Sequence, residues 1–343
     1  MGDVVHTLPA LSDAARANPL IRFDWAVDEA FAQIPGWHRN VEKVFPVDLR
    51  RWRGQLISSS GWTELRSSLS ALRKESYDFI VDLQGEFKSA FVAMLAKGRR
   101  LGYDGASARE WGAHLSYHRE IPVRKGSHSM SRMRRLLSDA LSYPYDESSI
   151  DYGIDRSRLI ANRVPIRQPY LVFIHSTSWA AKNWPEQYWK ELAERVLPMG
   201  FTVVLPWGSE AERLRSERIA GNHREIVVLP QLTISEKASI IDHASATVGL
   251  DTGLSHIAAA LGVPSVTLYG ATDPNLCGTI GPDQMHIVSD FECVKCHESE
   301  CGFAGAKFKP ACFENLSPNE VCKQLEMLTA KTAARSRNLF QLA

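Results

Sequence analysis

The sequence lacks three features that would place it in a special class of protein. No apolar run approaches the roughly 20 residues that a membrane-spanning helix needs. Neither sign of charge is in excess, because 40 lysines and arginines stand against 39 aspartates and glutamates, and this balance does not indicate a nucleic-acid partner. The amino terminus has no basic segment followed by an apolar one, so no secretory signal is predicted.

Cysteine is also scarce. Six cysteines in a chain of 343 residues are too few for a disulfide scaffold. The hydrophobic share of 44% and the charged share of 23% are ordinary for a soluble globular protein. The length predicts one or two domains. Together these observations predict a cytosolic globular protein.

One βαβ unit, at residues 247–269, organises the predicted fold. Residues 247–250 and 265–269 are apolar without alternation, as expected of strands in a parallel sheet that is covered on both faces. Between them the pattern predicts a tight turn at 251–253 and a helix at 254–261. Because strands and helices alternate along the whole chain, we predict an α/β protein with doubly wound parallel sheets.

The turn of this unit has the chemistry of a ligand site. Thr252 and Gly253 present backbone N–H groups at a helix N-terminus, which favours an anion, and glycine allows a phosphate to approach closely. Asp251 ends a strand at the carboxyl edge of the sheet, where such sheets bind ligands, and His256 lies one turn further on. From spacing alone a second interpretation stays open, in which Asp251 caps the helix and His256 is a helix residue with ordinary partners.

A stretch rich in Pro, Ser and Asp at 143–169 predicts a linker between two domains. We place a Rossmann-like domain at 1–150, a second one at 151–330 and a polar tail at 331–343. The carboxyl ends of the strands of both domains would face each other across a cleft. The residues of the second domain that we predict at this cleft are Ser176, Thr177, Ser178, Lys182, Glu212, Asp251, Thr252, Gly253 and His256.

The first domain departs from this plan at its start. A parallel α/β domain normally opens with an apolar strand, a turn that contains glycine, and a helix. Here residues 1–4 already have the pattern of the turn and residues 5–17 that of the helix. We therefore predict that the first strand is missing from the centre of the N-terminal sheet, as in a truncated chain or one whose start is assigned too late.

A dense basic cluster follows the second predicted strand of this domain. Arg50, Arg51 and Arg53 surround a tryptophan, and Arg109 occurs later in the same half. Guanidinium groups bind carboxylates and phosphates through paired hydrogen bonds, so this half is predicted to hold an anionic substrate. For any one of these arginines taken alone, a solvated surface position is the simpler interpretation.

Four cysteines near the carboxyl end have a spacing typical of metal sites, namely Cys293, Cys296, Cys301 and Cys312. A zinc site would need all four thiolates in tetrahedral reach of one ion. Buried structural thiols, or a disulfide or redox pair, are the other two interpretations. The sequence leaves all three open.

Longer segments resemble a known family. They are GDVVHTLPAL at the start, HSTSWAAKNWP, LPWGSEAE and DTGLSHIAAALGVP, with RRWR and VDLQGEFKSA in the first half. Together they are similar to the bacterial lipopolysaccharide heptosyltransferases of glycosyltransferase family 9, and most similar to the type I members. The resemblance covers nearly the whole chain.

This resemblance implies the GT-B fold and an inverting glycosyltransferase. The enzyme would move L-glycero-D-manno-heptose from ADP-heptose, held by the C-terminal domain, to 3-deoxy-D-manno-octulosonic acid (Kdo) on lipid A, held by the N-terminal domain. The expected partners are these two substrates, with no nucleic acid and no obligate protein partner. The expected location is the cytoplasmic face of the inner membrane. No cofactor is expected, and the lack of a D-x-D motif favours a metal-independent reaction.

The resemblance also implies roles for single residues. Asp3 would be the general base, although a helix N-cap is its other interpretation. Lys182 would stabilise the departing diphosphate, although it is otherwise a solvated lysine of a loop. The remaining implied roles are phosphate contacts from Thr177, Ser178, Thr252 and Gly253, ribose contacts from Glu212, heptose contacts from Asp251, a phosphate or sugar contact from His256, and acceptor contacts from Arg50, Arg51, Arg53 and Arg109.

Two other functions stay open at this point. A family 9 transferase of another type, such as a type II-like one, would use a different acceptor. A sugar-nucleotide-binding protein without catalysis is the second alternative, because the first strand is predicted to be missing. A nicotinamide dehydrogenase is not predicted, since neither half has G-x-G-x-x-G after a strand.

Overall fold

The structure, a computed structural model, describes residues 1–48, 70 and 72–341. The chain divides into two compact units, residues 3–158 and residues 159–343, and Met1 and Gly2 group with the second. The boundary falls at 158, slightly later than the predicted 150. None of the helices in the described ranges has both the length and the apolar character required to cross a bilayer.

Five strands and four α-helices of the first unit lie wholly within the described residues. In chain order they are α1 Gly2–Ala17, β1 Phe23–Asp28, α2 Gln33–Gly36, β2 Val41–Val47, β3 Ser76–Asp82, α3 Phe87–Leu95, β4 Lys97–Tyr103, β5 Arg119–Ile121 and α4 Ser129–Leu141. A 3-10 helix, Ala113–Ser116, lies between β4 and β5. All the strand pairs are parallel, as expected of an α/β unit.

The strands of this unit form two separate sheets. β1 pairs with β2, and β3, β4 and β5 form a second sheet, so among the described residues no strand joins β1 to β3. Helix α1 nevertheless covers both pieces, because Leu11 belongs to one apolar cluster with Trp25 of β1 and Val81 of β3. In a doubly wound sheet the strand that precedes the first helix occupies this central place. The first unit therefore has two small parallel sheets that share α1 as a packing partner.

The second unit contains one six-stranded parallel sheet. Its elements are β6 Tyr170–Ile174, α5 Glu186–Val196, β7 Thr202–Leu205, α6 Glu210–Ala220, β8 Ile226–Val228, α7 Ile234–Asp242, β9 Ala246–Leu250, α8 Gly253–Ala260, β10 Ser265–Tyr269, α9 Pro274–Cys277, β11 Gln284–Val288 and α10 Pro318–Gln341. The strand order is β11-β10-β9-β6-β7-β8. This is the order of a complete Rossmann-type sheet, with the first strand of the unit beside the fourth.

The core of the second unit explains why its strands lack alternation. Every residue of β6, β7, β9 and β10 is buried, since helices cover both faces of the sheet. The largest core side chains include Trp184 and Trp189, whose rings pack edge to face with centres 5.0 Å apart. The predicted α/β class is confirmed.

Two features of the elements differ from the sequence analysis. The polar tail was placed at 331–343 as a separate segment, and α10 continues without a break through most of it to Gln341. Its composition explains this, because Ala, Lys, Arg and Leu favour a helix and neither Gly nor Pro interrupts it. β4 was not predicted, because its first four residues, Lys-Gly-Arg-Arg, have no apolar run.

Candidate active site

The predicted donor residues of the second unit lie at one edge of its sheet. The chain leaves β6 toward β7 on one side and leaves β9 toward β10 on the other, although β6 and β9 are neighbours. At such a switch point the two following loops diverge and leave a crevice at the carboxyl ends of the strands. The loop after β6 contains Lys182, and the residue after β9 is Asp251.

An ion pair joins these two loops. The Lys182 Nζ donates to Asp251 Oδ2 over 2.8 Å and lies 4.6 Å from the centre of the Trp179 ring. The two side chains are 16% and 6% exposed, so their charges are largely removed from water. Lys182 is therefore held in place at the switch point and is not a solvated surface lysine.

Asp251 has further partners in the same unit. Thr272 Oγ1 donates to Asp251 Oδ2 over 2.7 Å, and His256 Nε2 lies 3.3 Å from Oδ1. Burial by itself would raise the pKa of Asp251, but the His256 hydrogen bond and the Lys182 charge hold that pKa well below its usual range. Asp251 is thus an anchored carboxylate. It is not the cap of the next helix, because Thr252 occupies the N-cap position of α8.

The Asp251 pocket also contains a thiol that the sequence did not single out. Cys277 Sγ lies 3.8 Å from Asp251 Oδ2, a weak contact. Burial and the nearby carboxylate raise the pKa of Cys277 to about 12. Burial and the neighbouring carboxylate therefore make this thiol less reactive than an exposed cysteine.

The polar loop after β6 is fixed by an asparagine. The Thr177 N–H donates to Asn183 Oδ1 over 3.1 Å, and Asn183 Nδ2 donates to the Thr177 carbonyl over 3.4 Å. Ser178 is exposed in the same loop. Behind it, the buried His175 ring lies 2.8 Å from Ser216 Oγ of α6. These contacts fix the backbone conformation of the loop before any ligand binds. The hydroxyl groups of the loop lie near the sheet edge.

Two helix N-termini lie at this edge of the sheet. Thr252 and Gly253 begin α8, so their N–H groups point along a helix axis where an anion is favoured. Glu212 Oε2 accepts the N–H groups of Gly208 over 2.6 Å and Ser209 over 3.2 Å at the start of α6. Glu212 therefore completes a capping box, a role that the ribose interpretation did not include.

In the first unit, Asp3 is paired with one of the predicted acceptor arginines. Asp3 lies in the first turn of α1, and both its oxygens accept from the Arg109 guanidinium, over 2.6 and 2.8 Å. Arg109 Nη1 also lies 3.4 Å from Glu86 Oε1. The pairing with Asp3 raises the pKa of Arg109 further, so the guanidinium stays charged. The two-bond geometry fixes the orientation of the Asp3 carboxylate.

A second arginine stands beside this pair. The Arg132 guanidinium lies 5.0 Å from the centre of the Tyr103 ring, and burial raises the pKa of Tyr103 to about 12. Arg132 Nη2 donates to the carbonyl of Ser107, whereas the Arg132 Nε is buried without a hydrogen-bond partner among the described residues. Arg132 is therefore a second guanidinium at the carboxyl end of β4, where Tyr103 is the last residue.

Several contributors to these sites were missed from the sequence. Thr272 follows the end of β10 as Asp251 follows β9, so the strand-end rule would have found it. Asn183 and Glu86 lie in a loop and at a helix start, and no motif of the chain points to their partners. Their roles depend on contacts that only the folded chain defines.

Two further groups of predicted site residues are the arginines at 50–53 and the cysteines at 293–312. Arg50, Arg51 and Arg53 lie outside the described residues. Cys293, Cys296, Cys301 and Cys312 are free thiols, and within the described ranges no group of three or more His, Cys, Asp or Glu side chains is arranged to hold a metal ion. Burial raises the pKa of Cys312 to about 12.

Known proteins resemble this chain along nearly its whole length. The model of glycosyltransferase family 9 (heptosyltransferase) matches residues 65–307. Lipopolysaccharide heptosyltransferase 1 of Pseudomonas aeruginosa is 45% identical over 347 residues, covering 98% of this chain and 97% of that protein. The structure of E. coli heptosyltransferase WaaC with ADP has a TM-score of 0.84 at 37% identity, covering 96% of this chain and 97% of that one. The same enzyme with ADP-2-deoxy-2-fluoro heptose has a TM-score of 0.80 at 36% identity, covering 95% and 96%. The family resemblance of the motifs is thereby confirmed, and the chain belongs to the heptosyltransferases of glycosyltransferase family 9.

Proposed function

We propose that the chain transfers L-glycero-D-manno-heptose from ADP-heptose to the Kdo residue of Kdo–lipid A, with inversion at the anomeric carbon. The observation that carries the proposal is the likeness over 95% of the chain to a heptosyltransferase solved with ADP-2-deoxy-2-fluoro heptose. This likeness favours catalysis over simple nucleotide binding. The reaction would belong to lipopolysaccharide core biosynthesis, at the cytoplasmic face of the inner membrane.

The second unit would hold the donor. The N-terminus of α8, at Thr252 and Gly253, offers N–H groups to the diphosphate, and Thr177 and Ser178 offer hydroxyl groups. Lys182 supplies the positive charge that the departing ADP needs as the glycosidic C–O bond breaks. Asp251 keeps this ammonium in place through the 2.8 Å contact. Because these groups bring the compensating charge, the proposed reaction requires no metal ion.

We propose further contacts from Asp251 to the heptose and from Glu212 to the ribose. Asp251 is already engaged by Lys182, Thr272 and His256, so heptose hydroxyls would have to donate to its remaining lone pairs. One oxygen of Glu212 serves the capping box, and we propose that the carboxylate also accepts from the ribose hydroxyls.

The first unit would supply the general base. Asp3 accepts the proton of the attacking Kdo hydroxyl, whose oxygen forms the new bond to the anomeric carbon. The electron pair of the breaking bond leaves with the diphosphate. Arg109 orients the Asp3 carboxylate through its two hydrogen bonds. Arg50, Arg51 and Arg53 remain proposed contacts for the acidic groups of the acceptor.

Mass spectrometry of the products from ADP-heptose and Kdo–lipid A tests the reaction. One added heptose on Kdo–lipid A is the expected product. An acceptor that already carries a heptose serves as the comparison, since preference for it would indicate the type II activity. ADP binding without any transfer would overturn the proposal.

The roles of Asp3 and Lys182 are tested separately. We expect Asp3→Asn to lower turnover by about 10²-fold or more and to leave ADP affinity within a few-fold. Lys182→Ala should lower turnover by about 10²-fold or more. Asp78→Asn and Lys190→Ala are matched controls, because Asp78 is exposed on β3 and Lys190 makes only a long contact of 3.8 Å with Glu186. Equal loss of turnover and ADP affinity in the Asp3 variant would reject the base role.

A further inference from the structure

The second unit contains a buried lysine whose charge is not compensated by a direct contact. Lys237 of α7 is only 8% exposed. Its ammonium makes no hydrogen bond or ion pair with any described residue, and it is not one of the polar atoms that are sealed from solvent. The small exposed part of Lys237 therefore includes the ammonium. Because lysine is almost never buried to this degree without a partner, this position indicates contact with a ligand.

The direction of the Lys237 side chain follows from its place on the helix. Lys237 shares one face of α7 with Ile240 and Ile241, which are both 1% exposed. Side chains of an α-helix tilt toward its N-terminus, and the N-cap of α7 is Thr233, one turn before Lys237. The ammonium is therefore carried toward the start of α7. This start follows β8 and lies at the carboxyl edge of the sheet.

The starts of α6 and α7 are neighbours at this edge. They follow β7 and β8, which pair in parallel. The two connecting loops are joined directly, because Trp207 Nε1 donates to the Leu229 carbonyl over 2.5 Å. Glu212 lies in the first turn of α6, as Lys237 lies close to the start of α7. The two side chains are therefore placed on adjoining sides of one part of the crevice.

Two carboxylates act on the Lys237 ammonium without touching it. Burial lowers the pKa of Lys237, and the charges of Glu212 and Glu236 oppose that shift. Glu236 Oε2 is engaged in a capping box, where it accepts from the N–H and the hydroxyl of Thr233, each over 2.8 Å. Glu212 also uses only Oε2 for its capping box, so its Oε1 has no hydrogen-bond partner in the described part of the chain. A free acceptor and a free donor thus lie near each other.

The strand order indicates which part of the donor lies near these two groups. The proposed diphosphate contacts lie at β6 and β9, and β7 and β8 are one and two strands beyond β6. Neighbouring strands are about 4.8 Å apart, so α7 starts roughly 10 Å from the diphosphate contacts. A ribose beside the diphosphate would therefore lie at β7 and β8. Each ribose hydroxyl can donate one proton and accept another at the same time.

We propose that Lys237 is a specificity-determining residue for the ribose of the donor. Its ammonium donates a hydrogen bond to a 2′- or 3′-hydroxyl oxygen, and the proton of that hydroxyl is donated to Glu212 Oε1. A nucleotide that lacks this hydroxyl leaves both charged groups without a partner and binds more weakly. The inference deepens the proposed function and rests on it, because it takes the ADP part of the donor as the ligand.

Calorimetry of the full chain with ADP, 2′-deoxy-ADP and 3′-deoxy-ADP tests the inference. Lys237→Met removes the ammonium and keeps a long apolar side chain. We expect the parent chain to bind ADP about tenfold or more tightly than at least one deoxynucleotide, since a hydrogen bond to a charged group is lost. In Lys237→Met the affinity for ADP should fall about tenfold, whereas the affinity for that deoxynucleotide should change by about twofold or less.

Transfer kinetics give a second measurement. Because the ribose is remote from the bond that breaks, its contacts are equal in the ground state and the transition state. Lys237→Met should therefore raise the KM for ADP-heptose about tenfold and leave kcat within about twofold. Lys190→Met is the matched control, since Lys190 of α5 makes only a contact of 3.8 Å with Glu186. It should bind all three nucleotides as the parent chain does.

Each contrary result has its own meaning. Unchanged ADP affinity in Lys237→Met would overturn the inference and leave the proposed function standing. An equal loss for all three nucleotides would also overturn it, because the contact would then be to adenine or to the phosphates. The parent chain gives a test that does not depend on folding of the variant, since equal affinity for all three nucleotides would overturn the inference. No binding of ADP by the parent chain would overturn the inference together with the proposed function.

Discussion

The two units of this protein use the same parallel α/β plan with different completeness. In the second unit the first strand, β6, lies at the centre of a six-stranded sheet, and every one of its residues is buried. In the first unit β1 and β3 belong to two separate small sheets, and only one residue of each strand is fully buried. A central strand thus decides whether a sheet of this kind has a continuous core.

The ion pairs that contain the two proposed catalytic groups, Lys182 and Asp3, differ in their burial. Lys182 and Asp251 form a largely buried pair with additional partners, whereas Asp3 and Arg109 are 39% and 31% exposed. A buried pair is fixed before the ligand arrives, and an exposed one can exchange partners with an incoming substrate. We infer that the pair at the proposed donor site has a fixed geometry, whereas the proposed base is accessible to substrate.

The largest expected difference between the two pairs is in the free energy of unfolding. Asp251→Ala leaves the Lys182 ammonium in a poorly solvated place without its carboxylate, and we expect a loss of about 3–5 kcal/mol. Asp3→Ala breaks an exposed pair and should cost about 1 kcal/mol or less. Urea unfolding of both variants measures the contrast. Similar losses would mean that the two pairs are equally embedded, contrary to their exposure.

A second experiment completes the divided sheet. Five or six apolar residues joined ahead of Met1 should pair between β1 and β3. We expect a gain of about 2–3 kcal/mol, because burial of each apolar side chain gives about 1.5–3 kcal/mol and ordering costs about 1–2 kcal/mol per residue. An extension of equal length with a central proline is the control, since proline cannot donate to a neighbouring strand.

Hydrogen exchange localises the outcome of that experiment. The amides of β1 and β3 should become protected only with the uninterrupted extension. Equal stability of the two extended chains, with no new protection, would show that the place between β1 and β3 does not accept a strand.

Acid should destabilise both units through buried histidines, and the loss should end at a different pH in each unit. Burial lowers the pKa of His38 to about 4 and that of His175 to about 3. The unfolded chain therefore binds protons first, and stability falls below about pH 6.5 by up to about 1.4 kcal/mol per pH unit for each histidine. The loss from His38 ends near pH 4, whereas that from His175 continues to near pH 3. Asp251 adds a loss below about pH 4, because its pKa is lower in the folded state.

Urea unfolding as a function of pH measures these slopes. His38→Gln and His175→Gln should each flatten the dependence between pH 6 and 4. His223→Gln is the control, because His223 is exposed near the end of α6. If neither buried histidine changes the slope, other groups cause the acid sensitivity.

The smallest effects are expected at the cysteine cluster. Cys296 is exposed, so Cys296→Ser should change the free energy of unfolding by less than about 0.5 kcal/mol. Cys312 is buried, and a Cβ atom at Gly270 would lie 2.5 Å from its sulfur, so Cys312→Ser should cost more, about 1–2 kcal/mol. Thermal unfolding with and without a metal chelator completes the experiment. A clear fall in the melting temperature on chelation would favour the zinc interpretation over free structural thiols.

Most strands of the second unit could be predicted because they are buried on both faces. β10 has the predicted bounds and β9 begins one residue before the predicted 247, since unbroken apolar runs between polar turns leave little choice. β11 was missed because its side chains are only partly buried and its sequence has no such run. In the first unit, β4 begins with charged residues, and its pairing with β3 outweighs their weak preference for a strand.

The sequence by itself determined the family, the parallel α/β class and the strand ends where the polar residues gather. It did so because burial patterns and motifs are local properties of the chain. The tertiary structure alone decided which charges meet. Lys182 and Asp251 are 69 positions apart, and Arg109 and Asp3 are 106 positions apart. No local pattern encodes such contacts, since they depend on how the sheet order brings distant loops to one edge.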